Sequence, residues 1–187
     1  MKNLKFDLDN FINPDEIVSY EDCLKCRKCC IFPKSIPGGA PIITKSEFKS
    51  ISLAEEQRLK VNGLGENTFQ FVLISDNDFL KCPFLKKSSY QCEIYGRHPF
   101  DCRIFPFMLV RRTNKSGVYL SYDKTCLAIV RIKNLPVFIN YCQELLNLFS
   151  TRKARVFFKK YPELILNERN LGKYKLGYVG MLSWDNC

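Results

Sequence analysis

The chain has 187 residues, of which 46% are hydrophobic and 13% aromatic, so a wholly disordered chain is excluded and one domain spanning residues 1–187 is expected. Its formal net charge of +10 lies entirely in the second part, because residues 1–102 carry 14 basic and 14 acidic residues whereas residues 103–187 carry 15 and 5. No run approaches about 18 consecutive apolar residues, so no membrane span is predicted.

The first predicted elements surround a short run of cysteines. Residues 11–20 predict a short helix that begins near Pro14, with acidic residues in its first turn. Residues 23–30 are expected to form a turn or a short helical loop. Residues 31–41 hold three prolines and two glycines, which predicts irregular structure.

A capping-box pattern follows. Thr44 and Glu47 have the spacing in which each side chain caps the backbone amide of the other, and this predicts a helix over residues 46–53. Residues 55–61 are expected to continue that helix or to start another. Residues 62–67 contain two glycines and predict a loop.

Two hairpins are predicted in the middle of the chain. Residues 69–75 and 79–82 flank an Asp-Asn-Asp turn, and the returning strand would bring Cys82 back toward the first cysteines. Residues 83–106 contain several prolines and predict only short elements. Residues 107–112 and 118–122 form the second predicted hairpin.

The C-terminal part, about residues 136–187, predicts helices and one strand. Apolar side chains recur at helical spacing over residues 137–149, a basic helix is predicted over 151–161, and residues 174–184 are expected to add an edge strand. The predicted fold class is α+β: a small single domain with two hairpins, C-terminal helices and irregular loops. One or more metal centres, rather than a large sheet, are expected to organise those loops.

Cysteine content is the strongest chemical signal in the chain. Four cysteines form a C-x-x-C-x-x-C-C run, three more follow at ten-residue intervals, and an eighth lies beyond them. The predicted metal ligands are Cys23, Cys26, Cys29, Cys30, Cys82, Cys92, Cys102 and Cys126. Eight cysteines are enough for two four-ligand sites.

The redox compartment expected for this chain favours metal binding by the cysteines over disulfide bonds. Residues 1–11 mix lysines with acidic residues and have no apolar core, so no secretory signal is predicted there. A cytoplasmic location is therefore expected, where thiols stay reduced and cysteine clusters more often bind metal.

Ligand spacing favours an iron–sulfur cluster, with zinc as the alternative. Structural zinc sites usually use separated pairs of cysteines, whereas a C-x-x-C-x-x-C run with a remote Cys-Pro, here Cys82-Pro83, is typical of [4Fe–4S] ligation. Cys30 directly follows Cys29, which favours its use in a second centre. Lys25, Arg27, Lys28 and Arg103 lie beside these cysteines and are expected to lower the thiol pKa values.

Several separated motifs resemble a known family, the CxxCxxCC family of zinc- or iron-chelating proteins, over about residues 20–130. They are the cysteine run, Cys82-Pro83-Phe84-Leu85, Cys92-x-Ile94-Tyr95 and Cys102-Arg103-x-Phe105-Pro106. The family pattern has Arg-Pro after the Ile-Tyr, whereas this chain has His98-Pro99, with Arg97 one place earlier. Because flagellin lysine methylases carry such a domain, the resemblance also implies an enzyme alternative.

Other residues near the cysteines have simpler interpretations. His98, the single histidine, is expected to donate a hydrogen bond near the centre or to form a turn, rather than to act as a ligand. Cys142 lies on the apolar helix face and is expected to be a core thiol, and Cys187 is terminal. Four aromatic residues are expected to shield the centre from water: Tyr95, Phe100, Phe105 and Phe107.

Three functions remain open from the sequence. The first is an iron–sulfur protein that transfers electrons or supports a modification reaction. The second is an enzyme, either an iron–sulfur oxidoreductase or a protein-lysine methylase. The third is a zinc-structured adaptor that binds an anionic partner through a basic face at Arg152, Arg155 and Lys159, which share one side of the predicted helix. A protein partner is favoured there over nucleic acid.

Overall fold

A computed structural model describes residues 17–34, 39–55, 60–172 and 174–184. Its first helix, α1, spans Tyr20–Cys26. The Ser19 hydroxyl accepts a hydrogen bond from the amide of Asp22, and the Asp22 carboxylate accepts one from the amide of Ser19. This capping box fixes the start of α1. Most of the helix predicted over residues 11–20 lies outside the described residues.

Two small antiparallel sheets form the N-terminal half. One has the strand order β1-β6-β5, with β1 at Ile31–Pro33, β5 at Ile74–Asp76 and β6 at Phe79–Lys81. The other has the order β2-β4-β3, with β2 at Ile42–Thr44, β3 at Val61–Gly63 and β4 at Thr68–Phe71. These sheets enclose a small apolar core that includes Ile43, Phe71 and Phe84.

Helix α2 spans Lys45–Glu55 and follows the predicted capping box. The Thr44 amide donates to Glu47 Oε2 at 3.0 Å, and the Glu47 amide donates to the Thr44 hydroxyl at 3.4 Å. The prediction of a helix over residues 46–53 is therefore confirmed, with an earlier start and a later end.

A four-stranded sheet is the frame of the C-terminal half. Its order is β10-β8-β7-β9, and the strands are β7 at Phe107–Arg111, β8 at Val118–Asp123, β9 at Ile165–Asn167 and β10 at Leu176–Met181. Strands β7 and β8 form the second predicted hairpin, and β10 is the predicted edge strand. β9 runs parallel to β7.

Four helices accompany this sheet: α3 at Phe100–Ile104, α4 at Leu127–Ile132, α5 at Pro136–Phe149 and α6 at Arg152–Lys160. The predicted apolar face of α5 is confirmed, since Phe138, Cys142, Leu145 and Phe149 are buried. Thr151 caps α6 by accepting a hydrogen bond from the Ala154 amide at 3.2 Å. The Trp184 indole donates to the Phe149 carbonyl at 2.8 Å and so joins the last described residues to α5.

Several short elements differ from the predictions. The strand predicted over residues 69–75 is two strands, β4 and β5, which belong to different sheets. Strand β1 lies in the segment predicted to be irregular, and β3 replaces the predicted end of a helix and the start of a loop. The four-stranded sheet is of ordinary size, and the expected role of a metal centre in organising the loops stays a prediction. These strands are short and are defined by their hydrogen-bonded partners, which a single sequence does not identify.

Among the described residues, no helix combines the length and the apolar character needed to cross a lipid bilayer.

Candidate metal centre

The cysteine run begins in α1 and ends in a turn. Cys23 and Cys26 are three residues apart in α1, so they share a side of the helix. Arg27 ends the helix in the left-handed conformation, with φ 53°, and the chain reverses there. The Arg27 carbonyl accepts hydrogen bonds from the amides of Cys30 and Ile31 at 2.9 and 3.0 Å. The predicted turn or helical loop is thus a helix for its first half and a turn for its second.

Strand pairing brings Cys82 to this run. Ile31 in β1 is paired with Lys81 in β6, and the amide of Cys82 donates to the carbonyl of Cys30 at 2.9 Å. The expectation that the first hairpin returns Cys82 to the first cysteines is confirmed. Cys92 follows through a bridge to Leu85, whose amide donates to the carbonyl of Cys82 at 3.1 Å.

Side chains from α2 and α3 position Cys102. Glu47 Oε1 accepts a hydrogen bond from the Phe100 amide at 2.8 Å and lies 3.6 Å from the Arg103 guanidinium. The Asp101 carboxylate accepts a hydrogen bond from the amide of Ile42 at 2.9 Å. The short helix that carries Cys102 is therefore held against β2 and the start of α2.

Cys126 is positioned by two buried carboxylates. It precedes α4, and Arg131 of that helix forms an ion pair with Asp22 of α1. Asp123, which is fully buried, accepts hydrogen bonds from the amide and hydroxyl of Thr125 at 3.0 and 2.8 Å. Its other oxygen lies 3.1 Å from Lys28 Nζ. The Arg131–Asp22 pair and the Lys28–Asp123 pair therefore join the turn that contains Cys126 to the cysteine run.

Burial is the main cause of the shifted pKa values of the thiols. Burial raises the pKa of Cys23 to about 12, with the neighbouring thiols of Cys29, Cys126 and Cys26 adding to the effect. Burial likewise raises the pKa of Cys82 to about 12, and it raises the pKa of Cys102 well above the ordinary value. These thiols are neutral at pH 7, so a metal ion must displace their protons when it binds.

The expected lowering of thiol pKa values by nearby cations is therefore wrong for these three cysteines. Two of the four cations are paired with carboxylates, Lys28 with Asp123 and Arg103 with Glu47. Arg27 instead lies over the ring of Tyr90, 3.9 Å from its centroid. Carboxylates that pair with the cations offset their charge, and desolvation of the thiols outweighs what is left.

The eight predicted ligands come from the same region of the molecule but do not form a finished site. All are free thiols, and electrostatic interactions link Cys29 to Cys23, Cys82, Cys92, Cys102 and Cys126. Within the described ranges, however, no three cysteine, histidine or carboxylate side chains converge closely enough to hold a metal ion as they stand. The donor set suits a thiophilic metal or an iron–sulfur cluster, and binding would have to draw the thiols together.

Other sequence-selected residues have varied positions. Cys142 is a buried core thiol, as predicted, and burial raises its pKa to about 11. The ring of His98 is stacked on Tyr95 with 5.1 Å between centroids. Of the four aromatic residues predicted to shield the centre, Phe105 and Phe107 line a cleft with Cys29 and Cys102, whereas Phe100 packs in the large core and Tyr95 is exposed. Cys187 lies outside the described residues.

Sequence reasoning missed the carboxylates that position the cysteines. Asp22, Glu47 and Asp123 contact cations that are 109, 56 and 95 residues away in the chain. A partial signal was present, since Ser19 and Asp22 have capping-box spacing and Asp123 precedes Thr125 in a turn. Helix α4 was also not predicted.

The fold and the thiols together define a small α+β protein with a cysteine-rich region between its two halves. Residues 22–127 match the family CxxCxxCC, described as "Putative zinc- or iron-chelating domain". Because the match covers more than half of the chain, the chain belongs to this family and is a zinc- or iron-binding protein in that sense. No curated protein and no solved structure matches it.

Proposed function

We propose that the chain holds iron–sulfur centres of the [4Fe–4S] type, with zinc as the alternative metal. The proposed ligands are Cys23, Cys26, Cys29, Cys30, Cys82, Cys92, Cys102 and Cys126. The observation that carries the proposal is that the fold brings cysteines from separate segments together. The Cys82 amide donates to the Cys30 carbonyl, Cys29 and Cys102 line one cleft, and the Asp123–Lys28 pair joins the Cys126 turn to the cysteine run. A bound cluster would supply one-electron redox chemistry, so the proposed activity is electron transfer or support of a modification reaction.

The protein's own residues would exclude water and fix the thiols. Cys82 and Cys126 are 6% and 4% exposed, so a centre bound to them would be largely shielded from solvent. Hydrogen bonds and ion pairs from Asp22, Glu47 and Asp123 fix the segments that carry the cysteines. A reducing compartment such as the cytoplasm would keep these thiols available for metal.

Metal and sulfide analysis of anaerobically purified protein tests this proposal. An iron–sulfur protein should be brown, should contain iron and acid-labile sulfide, and should absorb broadly in the visible range. Stoichiometric zinc without sulfide would replace the iron–sulfur assignment with the zinc alternative. Protein that contains neither metal, and takes up neither under reducing conditions, would contradict both.

A second candidate, the zinc-structured adaptor, is favoured by one observation on α6. Four cations of this helix are exposed around Val156, which is itself 61% exposed: Arg152, Lys153, Lys159 and Lys160. Arg155, which the sequence analysis placed on the same side as Arg152 and Lys159, is half-buried and lies at the edge of this face. We propose that this α6 face, defined by these five exposed residues, binds an acidic protein segment.

A further inference from the structure

Five of the eight proposed ligands are divided between two apolar cores. Cys126 is buried in the large C-terminal core, and Cys23 packs against that core. Cys82 is buried in the small N-terminal core, and Cys30 and Cys92 pack against it. Four thiolates complete a structural zinc site or a [4Fe–4S] cluster, so ligands from both cores exceed what one compact centre takes.

Backbone and side-chain contacts assign the other ligands. Cys26 shares a side of α1 with Cys23, and the Arg131–Asp22 ion pair joins α1 to the helix that follows Cys126. Asp101 and Glu47 hold the short helix with Cys102 against β2 and the start of α2, beside the small N-terminal core. Cys23, Cys26 and Cys126 therefore form a first group, and Cys82, Cys92 and Cys102 form a second. Cys29 lies between them, because it lines a cleft with Cys102 and follows Lys28, which pairs with Asp123.

The adjacent pair Cys29 and Cys30 lies where the two groups meet. Their sulfur atoms are 3.8 Å apart. The backbone of Cys30 is hydrogen-bonded to Cys82, and its side chain packs in the same core as Cys82 and Cys92. Cys30 is thus the natural fourth member of the second group, which leaves Cys29 for the first.

We propose that the eight thiols hold two separate centres, one on each group. Cys23, Cys26, Cys29 and Cys126 ligate the first centre, and Cys30, Cys82, Cys92 and Cys102 ligate the second. Four thiolates are the usual ligand number for structural zinc and for a [4Fe–4S] cluster, so the division holds for either metal. The inference rests on the proposed function, because it assumes that these thiols bind metal.

Metal counting in ligand variants tests the division. Cys126→Ser removes a ligand of the first centre, Cys92→Ser removes one of the second, and Cys142→Ala is the matched control in a core thiol. Anaerobically purified protein is measured by native mass spectrometry, with circular dichroism to confirm folding. Cys126→Ser and Cys92→Ser should each retain half of the wild-type metal, the double variant none, and Cys142→Ala all of it.

Thiol footprinting of the wild-type protein gives a second measurement that does not depend on variants. A chelator is added in steps under anaerobic conditions, and exposed thiols are alkylated and mapped. The proposed ligands should become reactive in two blocks of four, with the membership given above. Folded single variants that lose all of their metal would overturn the division into two centres but not the proposed function. A footprint in which all eight thiols become reactive together would do the same. Wild-type protein that binds no metal would instead overturn the proposed function.

Discussion

Asp123 joins three parts of the structure around the proposed centres. Its buried carboxylate contacts Lys28 in the cysteine run and Thr125 beside Cys126, and it also accepts a hydrogen bond from the amide of Lys175 at 3.3 Å. A buried carboxylate is stable when charged partners and hydrogen bonds replace its hydration. The position of Cys126 relative to α1 therefore depends on this residue.

Replacing Asp123 by Asn should destabilise the protein and weaken metal binding. Lys28 would lose its partner, and breaking a buried pair typically costs about 3–5 kcal/mol, less here because the Lys28 side chain is 27% exposed. Chemical denaturation gives the stability loss, and competition with a chelator gives metal affinity. Lys81→Met breaks a more exposed pair, with Asp76, and is the control. Equal effects of both variants on metal affinity would contradict this role of Asp123.

Cys142 should be inert toward alkylating reagents in the folded protein. Burial raises its pKa to about 11, so the reactive thiolate is a very small fraction at pH 8 and the side chain is inaccessible. Mass spectrometry after iodoacetamide treatment should show Cys142 unmodified until denaturant is added. Modification of Cys142 in native protein at the rate of a free thiol would show that the α5 core opens readily.

At the residue level, the proximity of the thiols to one another follows from the sequence better than the ion pairs around them. The spacing of Cys23 to Cys30 shows directly that these residues are neighbours, and the hairpin leads Cys82 to them. Nothing local links Asp123 to Lys28, because ion-pair partners distant in the chain are brought together by the whole fold. The same holds for Glu47 and Arg103.

Among the elements, long periodic segments were predictable and short paired strands were not. The α5 pattern over residues 137–149 repeats its apolar positions for several turns, so its type and buried face follow from the sequence. β9 has three residues and forms by pairing with β7, a contact that its own sequence does not specify. The predicted strand over residues 69–75 failed for the same reason, since two different sheets share it.

Acidic ligands should bind mainly to helix α6. Replacing Arg152, Lys153, Lys159 and Lys160 by Ser removes the exposed cations of the α6 face. Binding of fluorescent polyglutamate, measured by anisotropy, should weaken at least tenfold and should also fall as salt rises, since charges are screened beyond about 8 Å at physiological ionic strength.

The control variant loses the same number of positive charges as the α6 variant, so the two variants have the same net charge. It replaces four exposed lysines of the N-terminal half by Ser: Lys45, Lys60, Lys86 and Lys87. This variant should retain most of the binding if the face is a specific surface. Equal losses in the two variants would mean that polyglutamate responds to overall charge, and the adaptor function would lose its support.

For the whole molecule, metal binding should contribute to folding stability. The proposed ligands join the two halves of the chain, so a bound centre cross-links segments between residues 23 and 126. Ligand binding to the native state alone adds about 4.1 kcal/mol at a thousandfold excess over Kd. For a chain of this size, the corresponding shift in melting temperature is roughly 10 °C.

Cys26→Ser and Cys102→Ser should therefore lower the melting temperature of metal-loaded protein while changing the metal-free protein much less. Cys142→Ala should retain its metal and lose only core packing, in both states equally. Differential scanning calorimetry with and without chelator separates these effects. Full metal retention in both ligand variants would contradict the ligand assignment.

X-ray absorption at the metal edge of anaerobically purified protein would decide whether the cysteines hold the metal, because it reports the atoms bound to the metal. If they do, each metal should have four sulfur neighbours, at about 2.3 Å if the metal is zinc. In an iron–sulfur protein, iron should also show neighbouring iron atoms. A first shell of nitrogen and oxygen, with little sulfur, would contradict the claim that the cysteines hold the metal.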